Sequence, residues 1–215
     1  MNSKKQLADI RKEYLQDRLS EDNIIRNPFL QFKLWFDQVL KLKIDEPNAM
    51  ILATSDKNGI PSARTVLLKS FNEMGFTFFS NYKSRKSREL IQNPRASIVF
   101  FWKELERQVR IDGLVEKLSR KESEEYFNQR PFESRIASIA SQQSEVIPDR
   151  QFLEDKFEMI KQEYAGKNPL MPFDWGGFLV IPYRFEFWQG RENRLHDRII
   201  FEKAGNDWKL SRLSP

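Results

Sequence analysis

The stretch "AMILATSDKNGIPSARTVLLKS", residues 49–70, decides the fold class, because strand alternation replaces helical periodicity there. "AMILATS" predicts a strand, "DKNG" (Asp56 to Gly59) a turn, and "IPSARTVLLKS" the returning strand. The Asn-Gly pair supplies the positive φ angles that tight hairpins need. A second turn at "NEMG" leads into "FTFFS". We therefore expect a three-strand antiparallel meander over residues 49–80.

The segments on either side add helices and more strands. Upstream, Asn27 suits the N-cap of a helix and Pro28 suits its first position. An earlier amphipathic helix, Ser3 to Leu19, is expected within an N-terminal helical segment of about 1–25. Downstream, helices are indicated in "SRKSRELIQNP" and over 119–164, followed by strands that include "GGFLVIPY" and "FEFWQ". About eight short strands, few in alternating βα order, favour an α+β fold, an antiparallel barrel with flanking helices.

Composition narrows the function classes. The 215 residues fit one domain over 1–215; the chain has no Cys and one His, which excludes disulfides, thiolate chemistry and multi-histidine metal sites. No apolar run approaches the roughly 20 residues that span a bilayer, so we expect a soluble, cytoplasmic protein without a membrane partner. A net charge of +5 admits an anionic partner, either nucleic acid or a phosphorylated small molecule.

Three clusters of basic and hydroxyl side chains are candidate phosphate ligands, because Gly-rich phosphate loops are absent. Each cluster alone is more typical of a solvated basic face. Together they bring hydroxyls and cations to element ends, where a phosphate receives charge-assisted hydrogen bonds. A continuous basic stripe with exposed aromatics, typical of a nucleic-acid binder, is not evident. The clusters are Arg64 to Lys69; Ser80, Ser84, Arg85 and Lys86; and Tyr126, Arg130 and Ser134, which share one face if the helix runs through Pro131.

An ordered set of motifs covers nearly the whole chain. It runs from "RKEY" (11–14) through "R-x-V-L-L-K", "S-R-K", "E-R-Q-V", "Y-F-x-x-R-P" and "S-x-Q-S" to "F-W-Q-G-x-x-x-R-L-H-D-R" (187–198), which contains the single histidine. In this order the motifs resemble the pyridoxine (pyridoxamine) 5'-phosphate oxidase family. The resemblance implies an FMN-binding split barrel, an antiparallel Greek-key barrel, and a homodimer with FMN bound noncovalently at the subunit interface.

The resemblance also assigns roles to residues. Arg194 and His196 are expected against the pyridine ring as catalytic residues. The predicted FMN ligands are Arg64, Thr65, Val66, Leu67, Leu68, Lys69, Phe79, Ser80, Arg85, Lys86, Gln108, Gln143, Ser144, Trp188 and Arg198. The predicted substrate ligands are Arg11, Lys12, Glu13 and Tyr14 as a covering segment, Lys69, Tyr126, Arg130 and Ser134 at the phosphate, and Arg194, Leu195 and His196.

The implied activity is the oxidation of pyridoxamine 5'-phosphate and pyridoxine 5'-phosphate to pyridoxal 5'-phosphate, with O2 as acceptor and H2O2 as product. A chain without thiols or metal ligands needs a borrowed electron sink, and FMN supplies one. Two departures stand out: Phe79 replaces a common Tyr, and Ala137 replaces a common Gly. The alternatives are a non-catalytic split-barrel flavin binder, a nucleic-acid binding protein, or a related oxidase with another substrate or acceptor.

Overall fold

The structure is a computed structural model that describes Tyr14 and residues 16–215. It divides into two compact units, and three of the four boundaries between them fall inside strands. The first contains the chain up to Pro47, Val99–Ile111 and Tyr183–Pro215, and the second contains Asn48–Ile98 and Asp112–Pro182. The single domain over 1–215 stays a prediction.

Five α-helices lie in the described residues, and their caps explain where they begin. Asn27 accepts hydrogen bonds from the backbone N–H groups of Phe29 and Leu30, which confirms the predicted start of the first helix. Ser119 and Glu122 form the predicted capping box. None of these helices is long and apolar enough to cross a membrane. The helices are α1 (Pro28–Lys41), α2 (Arg85–Gln92), α3 (Arg120–Gln129), α4 (Phe132–Ala140) and α5 (Arg150–Glu163).

The expected N-terminal helix falls largely outside the described residues. Within the part that is described, Tyr14 and residues 16–20 are not helical, and residues 21–23 form a turn. Asn23 and Ile24 donate their backbone N–H groups to the Ser20 carbonyl there. The helical prediction is therefore wrong for residues 16–25.

Nine strands of the described residues form the sheet, in the order β2-β1-β5-β6-β7-β4-β3, with β8 joined to β7 and β9 to β8. The pairs β1–β2, β3–β4, β4–β7, β7–β8 and β8–β9 are antiparallel. The strands are β1 (Ala49–Ser55), β2 (Pro61–Leu67), β3 (Ser70–Asn72), β4 (Gly75–Asn81), β5 (Arg95–Trp102), β6 (Arg107–Lys117), β7 (Trp175–Gln189), β8 (Asp197–Ala204) and β9 (Asp207–Leu213).

Two strand predictions need correction. The predicted hairpin of β1 and β2 is confirmed, with Ala49 opposite Leu67 and Ser55 opposite Pro61. The three-strand meander is wrong, because β4 pairs with β7, nearly 100 residues later, and does not pair with β2. The stretches "GGFLVIPY" and "FEFWQ" form the single strand β7, which continues through Pro182.

Aromatic side chains dominate the interior of each unit. In the first unit, α1 buries Phe32 and Trp35, whose ring centroids lie 5.0 Å from Phe100 and 5.3 Å from Phe187, respectively. In the second, β4 buries Phe78, which stacks on Phe178 of β7 at 5.4 Å. Such rings bury a large apolar area with few rotatable bonds, so they give the site residues rigid supports.

Candidate active site

A cavity of about 520 Å³ in the second unit collects most of the predicted phosphate ligands. Its volume is in the usual range for small-molecule and cofactor sites. Its lining includes predicted FMN ligands, predicted substrate ligands and residues that the sequence did not indicate. It is lined by Thr65, Val66, Leu67, Lys69, Phe79, Ser80, Asn81, Lys86, Tyr126, Arg130, Pro131, Ser134, Ala137, Ser138, Ser141, Gln143 and Trp175.

The side chains of Tyr126, Arg130 and Ser134 reach the cavity although they do not share one helix. The single helix considered from their spacing is wrong: α3 ends at Gln129, and Arg130 is extended, with ψ 148°. Pro131 has no N–H and forces the preceding residue out of the helical region, so α4 starts afresh at Phe132. The break turns the chain between α3 and α4, and all three residues still line the same cavity.

Arg130 is held from two sides. Its Nη1 donates to the Ser138 hydroxyl at 2.6 Å, and Ser138 in turn donates to the Ser134 carbonyl at 3.0 Å. The guanidinium also lies 4.9 Å from the centroid of the Trp175 ring, which is a cation–π contact. Burial lowers the pKa of Arg130, although the nearby Tyr126 opposes that shift. The arrangement presents a fixed cation to the cavity.

Three aromatic rings form one wall of the cavity. Phe79 stacks on Tyr126 with centroids 3.9 Å apart and on Trp175 at 5.3 Å. Burial raises the pKa of Tyr126 even though Arg130 acts in the opposite direction, so its hydroxyl keeps its proton at neutral pH and is a donor. Phe79 has no hydroxyl with which to bind FMN, and its ring here serves packing.

Lys86 supplies a second cation to the cavity. Its ammonium group lies 3.0 Å from the Ser80 hydroxyl, 3.2 Å from the Ser84 hydroxyl and 3.0 Å from Gln143 Oε1. Burial, with a smaller contribution from the charge of Arg64, lowers the pKa of Lys86 to about 8. The Ser84 side chain does not cap α2. Lys86 is the second residue of α2, so it lies in the first turn of a helix, where the helix dipole favours an anion.

Four predicted FMN ligands of the second unit lie outside the cavity lining: Arg64, Leu68, Arg85 and Ser144. Leu68 is 4% exposed and belongs to the core. Arg64 and Arg85 both turn to the carboxylate of Glu89, at 3.4 and 2.8 Å. The Ser144 hydroxyl accepts the backbone N–H of Arg85 at 3.2 Å.

The single histidine lies in the first unit, among aromatic side chains. His196 is 4.7 Å from Trp188 and 5.6 Å from Tyr14, measured between ring centroids. Its Nδ1 accepts the backbone N–H of Arg191 at 3.1 Å, which leaves Nε2 as the protonated nitrogen of the neutral ring. Burial and then the charge of Arg194 lower the pKa of His196, and Asp197 opposes them. The imidazole is therefore neutral at pH 7 and donates through Nε2.

Backbone geometry in the same loop requires a glycine. A Cβ atom at Gly190 would lie 2.7 Å from Cγ of Tyr14, closer than real contacts allow. Gly190 thus lets the Tyr14 ring approach the loop that precedes His196. Of the predicted covering segment, Tyr14 lies near His196, while Arg11, Lys12 and Glu13 lie outside the described residues.

The other predicted ligands of the first unit lie on or beside strands. Arg198 donates from Nε to Glu186 at 2.8 Å and from Nη1 to the Ser214 carbonyl at 2.9 Å. Glu186 is 3% exposed and also pairs with Arg110 at 3.0 Å. Gln108 is half-buried on β6, and Arg194 and Leu195 are exposed beside His196.

Sequence reasoning missed the residues that orient the expected ligands. Ser138 and Trp175 contact Arg130, Glu89 contacts Arg64 and Arg85, and Glu186 contacts Arg198. Only Glu89 carried a usable signal, because it follows Arg85 by four residues on a helix. The others are brought to their partners by tertiary structure.

Comparison with known proteins identifies the family. A family model described as pyridoxamine 5'-phosphate oxidase matches residues 36–164, and one described as the pyridoxine 5'-phosphate oxidase C-terminal dimerisation region matches residues 175–215. The chain belongs to the pyridoxamine 5'-phosphate oxidase family. Relatives named pyridoxine/pyridoxamine 5'-phosphate oxidase are 53% identical in Nostoc punctiforme, over 98% of this chain and 99% of the relative, and 51% identical in Cupriavidus necator, with the same coverage.

Solved structures agree with this family. PhzG from Burkholderia lata 383, in complex with tetrahydrophenazine-1-carboxylic acid, is 30% identical, with a TM-score of 0.87 over 93% of this chain and 98% of PhzG. A pyridoxamine 5'-phosphate oxidase-related, FMN binding protein from Nostoc punctiforme shares the fold at 16% identity and a TM-score of 0.69, over 88% of this chain and 98% of that protein. The predicted family, oxidoreductase class and split-barrel fold are confirmed.

Proposed function

We propose that the chain is an FMN-dependent oxidase that converts pyridoxamine 5'-phosphate and pyridoxine 5'-phosphate to pyridoxal 5'-phosphate. The observation that carries the proposal is the cavity of the second unit, where two clusters of side chains suited to bind phosphate line one space of about 520 Å³. Lys86, Ser80 and Gln143 form one cluster, and Lys69, Tyr126, Arg130 and Ser134 form the other. The names of the relatives that are about half identical over nearly the full chain support the same activity.

The residues of the chain fit an FMN cofactor. Lys86 is a desolvated cation at the start of α2, and the hydroxyl of Ser80 and the amide of Gln143 lie within 3.0 Å of its ammonium group. Such a set of donors suits a phosphate ester. When bound, FMN would accept a hydride equivalent from C4′ of the substrate and pass two electrons to O2, which yields H2O2. For the amine substrate, water enters and ammonia leaves as the aldehyde forms.

The side chains of the protein would position the substrate and stabilise its charge. Arg130 and Tyr126 would hold the substrate phosphate with a fixed cation and a protonated hydroxyl, which makes the reaction of the bound molecules effectively unimolecular. The neutral imidazole of His196 would donate a hydrogen bond through Nε2 to the substrate ring, and Arg194 would stabilise charge that changes on that ring. Tyr14 would cover the bound substrate.

Assembly and location are part of the same proposal. The match to a C-terminal dimerisation region over residues 175–215 supports a homodimer, with FMN at the subunit interface. A cytoplasmic location suits substrates whose phosphate charge keeps them inside the cell. Light scattering on the FMN-loaded protein measures the mass, and a monomer at micromolar concentration would contradict the proposed dimer.

A second candidate function comes from the similarity to PhzG, whose solved complex contains tetrahydrophenazine-1-carboxylic acid, a ligand without phosphate. The phosphate-type cluster around Arg130 favours the phosphorylated substrates over such a ligand. Both candidates are tested in one assay on the purified protein reconstituted with FMN. We expect bound flavin, O2-dependent peroxide, and an equal amount of pyridoxal 5'-phosphate from pyridoxamine 5'-phosphate. Peroxide from the tetrahydrophenazine alone, or no flavin binding at all, would overturn the proposal.

A further inference from the structure

Glu89 on α2 is a buried carboxylate with an unusual number of donors. Its side chain is 6% exposed. Oε2 accepts the hydroxyls of Thr54 and Ser62, each at 2.5 Å, and lies 3.4 Å from Nη2 of Arg64. Oε1 accepts Nε of Arg85 at 2.8 Å. A buried charge is tolerated only when it is paired and hydrogen-bonded, and these four donors meet that requirement for Glu89.

The contacts of Glu89 fix two arginines that come from different elements. Arg64 on β2 also donates from Nη1 to the Leu52 carbonyl at 3.1 Å and to the Thr54 hydroxyl at 2.6 Å. Its Nη2 contacts the Ser62 hydroxyl as well. Arg85 is exposed and begins α2, one turn before Glu89. The carboxylate therefore ties the strand that carries Arg64 to the helix that carries Arg85 and Lys86.

The charges in this region match a phosphate dianion. The charge of Arg64 contributes to lowering the pKa of Lys86, so the two cations are close enough to repel each other. Arg88, one position before Glu89, is paired with Glu145 at 3.2 Å. Arg64, Arg85 and Lys86 carry three positive charges and Glu89 carries one negative charge, so their net charge is +2. A phosphate monoester carries a charge of about −1.5 to −2 at pH 7.

We propose that Glu89 is a positioning residue for the phosphate of FMN, acting through Arg64 and Arg85. The inference rests on the proposed FMN cofactor. Glu89 holds both guanidinium groups in place at the helix whose first turn contains Lys86. The phosphate would then meet an ordered set of donors and would not have to order them itself. Preorganised donors bind more tightly, because less side-chain entropy is lost on binding.

Positioning and simple electrostatics predict opposite results when the charge of Glu89 is removed. Coulomb attraction alone predicts that a phosphate binds more tightly once a nearby carboxylate is neutralised. Positioning predicts weaker binding, because Arg64 and Arg85 lose their shared anchor. Riboflavin, which has the same ring system and no phosphate, separates either effect from a general disturbance of the fold.

The experiment measures the dissociation constants of FMN and of riboflavin by flavin fluorescence, with apo-protein made from wild type, Glu89→Gln and Glu145→Gln. Glu145→Gln removes the same charge from an exposed ion pair nearby. For Glu89→Gln we expect FMN binding to weaken at least about tenfold, the equivalent of one lost charged hydrogen bond. Its riboflavin binding, and both constants of Glu145→Gln, should stay within about twofold of wild type.

Three results would overturn the inference: unchanged FMN binding in Glu89→Gln, tighter FMN binding, or an equal loss for FMN and riboflavin. If Glu89→Gln does not fold, Glu89→Asp keeps the charge but withdraws it by one methylene. This variant should lose FMN affinity selectively and to a smaller degree, and an equal loss for both flavins overturns the inference. Wild-type protein that binds no FMN would refute the proposed cofactor instead.

Discussion

Replacing Arg130 by alanine should weaken substrate capture while FMN stays bound. Arg130 lines the cavity beside Tyr126 and Ser134, and Ser138 receives only one of its guanidinium nitrogens. Within the described part of the chain its other guanidinium nitrogens make no hydrogen bond, so they can bind a phosphate. A hydrogen bond to a charged group contributes about 1.5 to 3 kcal/mol, so the loss of one should lower kcat/KM about 10- to 150-fold.

The assay is steady-state formation of pyridoxal 5'-phosphate with FMN in excess, together with an FMN titration of the same variant. Arg135→Ala is the matched control, because Arg135 lies on α4 and donates to Asn168 but does not line the cavity. We expect Arg135→Ala to retain wild-type kcat/KM within about threefold, as typical for substitutions away from a site. An Arg130→Ala variant that loses FMN and keeps its kcat/KM when refilled would refute the assignment of Arg130 to the substrate phosphate.

Three further predictions follow from the charged side chains. The pKa of Lys86 is about 8 before FMN binds, so FMN affinity should fall as the pH rises through 8, and Lys86→Met should bind FMN weakly and without this pH dependence. FMN titrations from pH 6.5 to 9.5 measure both effects, and a Lys86→Met variant with full flavin content would exclude Lys86 from the site. Arg194→Lys keeps the charge but loses the planar fork, so it should bind pyridoxamine 5'-phosphate yet reduce FMN slowly in anaerobic single turnover; a wild-type rate would limit Arg194 to binding. Burial raises the pKa of Glu89, but hydrogen bonds from Ser62, Thr54 and Arg85 and the charge of Arg64 outweigh burial and lower this pKa from 4.5 to about 2. The folding stability that Glu89 contributes is therefore present above pH 4.5 and lost as the pH falls towards 2. Urea unfolding at pH 5 and pH 3 should show a smaller fall for Glu89→Gln than for wild type, and equal falls would contradict the assignment.

Local sequence signals predicted the elements that depend on neighbours in the chain. Asn27 and Pro28 gave the start of α1, and the Ser119 capping box gave the start of α3. The Asn-Gly turn gave the β1–β2 hairpin. In each case the deciding contacts are a few residues apart, so the pattern and its cause lie in the same short segment.

Structural features that depend on contacts between residues far apart in the sequence could not be predicted from local patterns. The partner of β4 is β7, and the register between them sets Phe79 opposite Gly177, where a larger residue would collide with the Phe79 ring. Trp175 reaches Arg130 only through that pairing, because Trp175 is the first residue of β7. The motifs could predict candidate ligands because ligand chemistry is local, and those roles stay predictions. The side chains that orient the candidates are set by tertiary packing.

The solitary imidazole of this chain is a built-in spectroscopic reporter. One histidine among 215 residues gives one set of imidazole proton resonances, assigned without mutagenesis. The rings of Trp188 and Tyr14, with centroids 4.7 and 5.6 Å from it, shift those resonances through their ring currents. Movement of the Tyr14 ring would change one of the two contributions and leave the other in place. A change in the position of the Tyr14 ring on substrate binding can thus be detected in the unlabelled protein.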